Sequence, residues 1–419
     1  MKTITTREDS NSPMQLQDAT KSLFVTSVAH FVNDGTLYIF ITLNPKLLPS
    51  EFFLIGMLGA IQNFFSVAIS PFIGRKADSA KNYGKLLSLG LVLIGVGVVG
   101  YSTSIFFVSG FSLFLYLVPF AIIAGIGSSF YHPLGATIIS EKWRGPSLGR
   151  AMGINGAAGS SGRALYPLFV VSLVVSFEIP SVTVLAVVAF ASAALVLSIP
   201  HNVSIRKDQS VIAEGRVNKT DAVAKVPMAL ILPKIRGLTI IAFTRGLFSA
   251  GIVYFIPSYL TSVRHLQFGL QLGIVFSFML GMSILGQPVF GYIADRFGRR
   301  LALGIAIVGS SAMILLFLNI GNLFIASIFL GLFGFFGLTG FPLLLPLATT
   351  ILPEEAQTIG GSIVWGVGNV GGGAAGPFII GLLAEPVLLG SLTNGFYVVV
   401  VIGIAALVIL PFVPKPRAK

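Results

Sequence analysis

A train of long apolar runs leaves this chain few possible folds. Stretches of about 18 residues or more, long enough to cross a bilayer as a helix, fall near 23–44, 52–73, 86–107, 113–139, 147–175, 182–199, 237–260, 269–294, 301–319, 323–350, 359–383 and 393–412. A soluble core could not absorb twelve of them. Only 10% of the 419 residues are charged, against about 25% in soluble domains. In hydrocarbon every backbone amide needs an internal partner, and a helix supplies it. The predicted fold class is therefore an all-α polytopic membrane protein with twelve transmembrane helices. The 48 glycines and 35 phenylalanines suit helices packed closely in lipid.

The formal net charge of +12 acts as a topology signal. With both termini cytoplasmic, all but four of the 27 Lys and Arg lie on the cytoplasmic side. Lys46 and Arg264 fall in loops on the opposite side, and Arg163 and Arg245 fall inside spans. That asymmetry follows the positive-inside rule, and contact with anionic headgroups accounts for most of the basic excess. The expected partners are the lipid bilayer, protons and a small-molecule substrate, with no nucleic acid. The expected state is a monomer in the cell membrane. With no cysteine there is no disulfide framework. The first 22 residues lack a signal-peptide core, so the first span is expected to stay as a helix. No metal-ligand cluster, activated nucleophile or nucleotide-binding loop is seen, so neither an enzyme, a cofactor nor an ATP-driven pump is expected. The sequons at Asn202 and Asn218 lie in a predicted cytoplasmic loop and are discounted.

The longest polar segment, 201–236, divides the spans six and six. The expected organisation is a cytoplasmic tail over 1–22, a six-helix bundle over 23–200, a linker over 201–236, a second bundle over 237–412 and a tail over 413–419. Internal repeats support that division. PFIGRKAD (71–78) and PVFGYIAD (288–295) share a pattern at an offset of about 217. Gly35 and Tyr38 match Gly251 and Tyr254; Asn155, Gly159 and Gly162 match Asn369, Gly373 and Gly376; Pro133 and Glu141 match Pro346 and Glu354. Duplicated bundles of this kind place a substrate site between the halves near mid-membrane.

GYIADRFGRR (291–300) fits the G-x-x-x-D-R-x-G-R-R signature of the major facilitator superfamily, which the chain resembles over its whole length. The resemblance implies alternating access and a cytoplasmic latch. The latch residues would be Gly291, Asp295, Arg296, Gly298, Arg299 and Arg300 in the second half. In the first half they would be Gly74 and Asp78, with Ser79 standing where the usual Arg would be. Asp78 would face the start of span 11 and Asp295 the start of span 5, where the positive end of a helix dipole favours an acid. Glu141 and Glu354 would pair with Arg75 and Arg299. A purely topological role for these charges remains open. H-x-x-N-D (His30, Asn33, Asp34) and G-S-S-x-x-H-P (127–133) resemble, more narrowly, the fosmidomycin-resistance-type branch. The fifth span, with Arg163 and no Gly before Pro167, departs from the drug/proton antiporter pattern.

Charges inside spans are costly and normally face a cavity or the bundle interior. His30, Asn33 and Asp34 share one helical face, which Tyr38 extends by a turn. A carboxylate beside an imidazole in a partly dry cavity can be tuned to exchange a proton. Asp34 is thus the expected proton-coupling residue, with His30 beside it; a structural carboxylate and a hydrogen-bonding His are the alternatives. The resemblance puts Asp34, His132 and Arg245 on cavity-lining helices. Arg245 and Arg163 are fixed positive charges suited to a carboxylate or phosphate, although one of them could be the constant partner of Asp34. Asn33, Tyr38, His132, Asn155, Tyr254, Trp365 and Asn369 complete the expected substrate-binding wall. Pro45, Pro257, Pro342 and Pro346 are expected to bend their helices. The expected function is a proton-coupled secondary transporter for a small organic anion or similar molecule. The alternatives are a proton-antiport drug or antibiotic exporter and, from another class, a receptor or scaffold that has lost transport.

Overall fold

The computed structural model describes residues 13–70, 72–73, 82–106, 109–143, 145–199 and 227–414. Among these, regular structure is helical throughout. The first half holds α1 (Pro13–Leu47), α2 (Phe52–Ala68), α3 (Tyr83–Thr103), α4 (Gly110–Ser128), α5 (Tyr131–Lys142), α6 (Gly145–Phe177) and α7 (Thr183–Val196). The second holds α8 (Met228–Ser262), α9 (Leu270–Phe297), α10 (Arg299–Asn319), α11 (Leu323–Gly337), α12 (Gly340–Ile351), α13 (Glu354–Ser362), α14 (Gly371–Leu383) and α15 (Leu392–Ile409). A π-helical stretch, 363–370, joins α13 to α14. Nine helices among the described residues are long and apolar enough to cross a membrane, and 52–68 and 323–337 are shorter apolar helices. α1 is long enough to span but is not one of the nine, which its polar face of His30, Asn33 and Asp34 explains. The expected linker is shorter than its polar composition implied, because α8 begins at Met228 and buries Ile231 and Ile235.

Two expected spans are each built from two helices. The breaks fall at Ser129–Phe130 and Leu338–Thr339. Each lies about four residues before a proline, Pro133 and Pro342, which cannot donate to the carbonyl one turn back. Pro45 and Pro257, by contrast, lie inside unbroken helices. The short helices after the breaks, α5 and α12, are 12 residues each. They therefore pair Pro133 with Pro342, so the sequence match of Pro133 with Pro346 is out of register. Glu141 and Glu354 are then no longer equivalent: Glu141 is near the end of α5, and Glu354 opens α13.

Of the remaining repeats, PFIGRKAD lies largely outside the described residues, and the match of Gly162 with Gly376 recurs as a contact. A Cβ on Gly162 would lie 2.1 Å from the Phe31 carbonyl oxygen, and one on Gly376 would lie 2.4 Å from that of Leu247. Phe31 and Leu247 differ by the same offset as Gly35 and Gly251, so both halves pack a first helix on a fifth in the same way. Small residues let these backbones touch.

The cores show how the halves meet. One continuous apolar cluster runs through both halves at the end holding the α1–α2 and α8–α9 turns, from Ile39 and Ile55 to Phe255, Phe276 and Ile380. At the other end, which holds Ile199, Ile231 and Val413, the core divides. Val25, Leu87 and Leu134 belong to one cluster, and Leu238, Leu303 and Leu347 to another. The halves are joined at one end and separate at the other, here called the closed end and the split end.

Glycines report the same geometry. At the closed end a Cβ on Gly56 would meet the Pro377 carbonyl at 2.5 Å, and one on Gly273 would meet Leu168 at 3.2 Å. At the split end, Gly149, Gly153, Gly156, Gly291 and Gly366 would meet nothing within 4 Å.

Candidate functional site

Between the halves lies a cavity of about 280 Å³, lined by Asp34, Leu37, Tyr38, Ile41, Gln62, Asn63, Ser66, His132 and Arg163 on one side. Ser249, Ala250, Val253, Tyr254 and Leu338 line the other. All three charged or ionisable groups other than tyrosine are on the first-half wall.

Asp34 is the centre of that wall. It is 4% exposed, and α1 buries it against α5 and α6. Its Oδ2 accepts from Arg163 Nη1 and lies 3.4 Å from His30 Nε2. Its Oδ1 accepts from Asn33 Nδ2 at 3.0 Å and lies 3.9 Å from His132 Nε2. An ionised carboxylate accepts only, and here potential donors surround it. Arg163 reaches across from α6 and donates its Nη2 to Ser160 Oγ at 2.8 Å. Its side chain keeps 29% of its surface exposed, so the pair borders the cavity rather than lying sealed beneath it.

Behind Asp34 is a second layer. His30 stacks on Tyr131, ring centroids 4.3 Å apart, with His132 edge-on at 5.6 Å. Its Nδ1 is 2.8 Å from the Asn155 backbone oxygen and 3.0 Å from Asn155 Oδ1. Asn155 Nδ2 donates to Tyr131 OH at 2.8 Å, and Tyr131 donates to the Thr26 carbonyl at 2.9 Å. Gly159 makes room for the imidazole, since a Cβ there would sit 2.4 Å from Nε2.

Of the expected coupling and substrate residues, Asp34, Tyr38, His132, Arg163 and Tyr254 meet at the cavity. His30, Asn33 and Asn155 stand directly behind it. Tyr254 also ties the halves together at the closed end, accepting from Asn44 Nδ2 at 2.9 Å. Three expected residues are elsewhere. Arg245 is 3% exposed and does not line the cavity. Its Nη2 donates to the Gly337 carbonyl at 2.9 Å and Thr339 Oγ1 at 3.0 Å. It thus caps the end of α11 at the proline-induced break, where the last carbonyls lack helical donors and the dipole favours a cation. Arg264 does the same for α10, donating to the Ile320 carbonyl at 2.9 Å and to that of Phe317. Asn369 lies in the π-helical stretch with its Oδ1 near Gly340, and Trp365 packs on the second-half core. The sequence reading passed over Gln62, Asn63, Ser66 and Ser249. The pair Gln62-Asn63 interrupts an apolar span much as Asn33-Asp34 does, and that signal could have been used.

The latch residues are at the split end. Gly298 has φ = +100° and ends α9, a conformation only glycine adopts freely, and Arg299 and Arg300 then open α10. Asp295, its side chain 77% exposed, is 3.5 Å from Arg299 in its own turn. Arg296 Nη1 donates to Tyr292 OH at 2.6 Å. Among the described residues Asp295 makes no pairing across the halves in this conformer, where the split end holds them apart. Glu141 Oε2 is buried with no hydrogen-bond partner among the described residues. Gly74, Arg75 and Asp78 lie outside the described residues, as does the side chain of Glu354. No group of acids and histidines that could hold a metal ion occurs among the described residues.

Sequence comparison agrees with this architecture. The profile described as Major Facilitator Superfamily matches residues 23–284 and again 238–419. The chain belongs to the Major Facilitator Superfamily. It is 24% identical over 371 residues to the uncharacterized MFS-type transporter YfnC of Bacillus subtilis, covering 85% of this chain and 86% of that one. It is 23% identical over 377 residues to the fosmidomycin resistance protein of Escherichia coli, covering 86% and 85%. Among solved structures it superposes on a bacterial homolog of the human lysosomal transporter Spinster, inward-facing and occupied, with TM-score 0.73 and 14% identity over 96% of this chain and 97% of that one. On a D-xylose–proton symporter the TM-score is 0.68 and the identity 16%, over 97% and 98%. At such identities these neighbours show the fold alone, twelve helices in two pseudo-repeats, while the profile match supplies the family and with it a multi-pass membrane protein.

Proposed function

We propose that this superfamily member is a proton-coupled secondary transporter for a small organic anion, working by alternating access with the split end toward the cytoplasm. One observation carries the reading: Arg163 stands at the cavity wall with Asp34 as its partner, and two histidines flank that carboxylate. A guanidinium binds a carboxylate or phosphate well, and here Arg163 gives Nη1 to Asp34 and Nη2 to Ser160. Incoming anion and Asp34 therefore compete for one cation, and a proton arriving at the Asp34 cluster weakens the competitor. Proton and anion favour each other's binding, which is the thermodynamic requirement for carrying both in one direction. The opposite wall, with Ala250, Val253 and Leu338, suits an apolar body behind the anionic head.

The distribution of positive charge supports the orientation. The gap at the split end and the continuous core at the closed end support an inward-open state. A proton-antiport exporter is the second reading, favoured by the likeness to the fosmidomycin resistance protein.

Proteoliposomes with a trapped pH dye and a panel of carboxylates and phosphate esters separate the two. For symport, adding substrate outside drives protons inward, and Asp34→Asn abolishes accumulation while leaving exchange across the membrane. Proton movement opposite to substrate would establish antiport. Normal accumulation by Asp34→Asn would remove Asp34 from the coupling step.

A further inference from the structure

We infer that the exchangeable proton of this site is carried on Nε2 of His30, that Asn155 and Gly159 position the ring for it, and that Asp34 remains a carboxylate throughout. The inference deepens the transport reading and rests on it for its role, but its chemistry can be tested without transport.

Hydrogen-bond direction decides the protonation of His30. Nδ1 lies 2.8 Å from the Asn155 backbone oxygen, and a carbonyl only accepts. Nδ1 therefore carries a hydrogen in the neutral and the charged ring alike, and this does not depend on which way the Asn155 amide is turned. The rest of the network fits this polarity: Asn155 Nδ2 donates onward to Tyr131, and Tyr131 to the Thr26 carbonyl.

With Nδ1–H fixed, neutral His30 presents a bare lone pair at Nε2. That atom is buried without a hydrogen-bond partner. It faces Asp34 Oδ2 at 3.4 Å, so two acceptors confront one another. One proton added to Nε2 turns this confrontation into an ion pair and satisfies the orphan nitrogen. Buried polar atoms left unpaired in this way are uncommon and call for an explanation.

Asp34 is less suited to hold the proton, since its oxygens already face Arg163 and Asn33. Around His30, α1 supplies Asp34, α5 supplies Tyr131 and His132, and α6 supplies Asn155, with Arg163 acting through Asp34. His132 contacts the other carboxylate oxygen, and its side chain is 65% exposed, so it meets cavity water first. Protonation adds one positive charge and breaks no bond within the chain. Asp34 then has an imidazolium partner and can release Arg163, and a bound monoanion returns the site to neutrality.

The Gly159 position is the structural signature of the arrangement. A Cβ there would lie 2.4 to 2.7 Å from three atoms of the His30 ring, so only glycine lets the ring reach both Asn155 and Asp34.

Nitrogen-15 spectroscopy of the full chain in nanodiscs, with labelled histidine and no substrate, tests this. His30→Gln identifies its signals among the four histidines. The expected result is a single neutral tautomer, protonated at Nδ1, whose Nε2 gains a proton on acidification within the pH interval over which the protein stays folded. In Gly159→Ala the single-tautomer signature should be lost. An Nε2–H neutral tautomer, or an Nε2 that never titrates in that interval, overturns the inference. So does a Gly159→Ala protein whose His30 signals match the parent's. The transport reading fails separately, if the parent shows no substrate-linked proton movement in proteoliposomes.

Discussion

The same frame runs through both halves, and the chemistry occupies only one of them. In the first half α1 carries His30 and Asp34, and α6 answers with Asn155 and Arg163. At the equivalent places the second half has Gly246 and Ala250 on α8, then Asn369 and Pro377 in the span containing α14. Asn155 binds His30, and Asn369 lies against Gly246. The scaffold contact survives duplication without its titratable partner. Polar atoms inside a membrane are costly, so a second copy of the cluster would be a second burden on folding. The second half keeps an apolar wall at the cavity and uses two of its arginines, Arg245 and Arg264, to cap helix ends.

The largest test of this contrast moves the acid. Asp34→Ala paired with Ala250→Asp places a carboxylate at the equivalent position, beside Gly373 and with no arginine on its own half's wall of the cavity. We expect proton-driven accumulation to be lost and the new acid to cost up to ~2.5–3.5 kcal/mol, less if cavity water reaches it. Recovered accumulation would show that the coupling group need only lie somewhere on the cavity wall.

Arg245→Leu separates a capping role from a substrate role. Removing the charge-assisted bonds to Gly337 and Thr339 should lower stability by about 1.5–3 kcal/mol, visible as a drop in melting temperature. The ratio of protons to substrate should be unchanged. Full stability with altered substrate affinity would return Arg245 to the cavity. Gly340→Ala tests the same contact from the other side. Its methyl would stand 2.4 Å from Arg245 Nη1, and such overpacking costs about 1–3 kcal/mol.

How much of this the sequence revealed depended on whether the signal was local. The spans, the halves and the Asp34 face follow from periodicity and charge within single helices, and all three appear in the fold. The partner of Asp34 did not follow, because Arg163 and Arg245 look alike as lone arginines in apolar runs. Only packing shows that one reaches a carboxylate at the cavity and the other a helix end made by a break. The breaks themselves lie four residues before Pro133 and Pro342, while Pro45 and Pro257 break nothing. Proline was thus a signal whose weight depended on its neighbours. Tyr131 escaped notice and Gly159 was read only as a repeat match, because a tyrosine and a glycine in a membrane helix are ordinary until the imidazole between them is seen.

The smallest expected effect compares the two ends of the molecule. Gly56→Ala drives a methyl to 2.5 Å from the Pro377 backbone at the closed end, and should destabilise this conformer by about 1–3 kcal/mol. Gly156→Ala puts its methyl into open space at the split end, so stability should change by no more than about 0.5 kcal/mol. Alternating access requires the split end to close in turn, and a smooth glycine surface on α6 is what such a closure would need. Transport by Gly156→Ala should therefore slow although its melting temperature holds. If neither changes, α6 does not meet the second half at Gly156 in the opposite conformer, and the closing surface must be sought at Gly149 or Gly153 on the same helix.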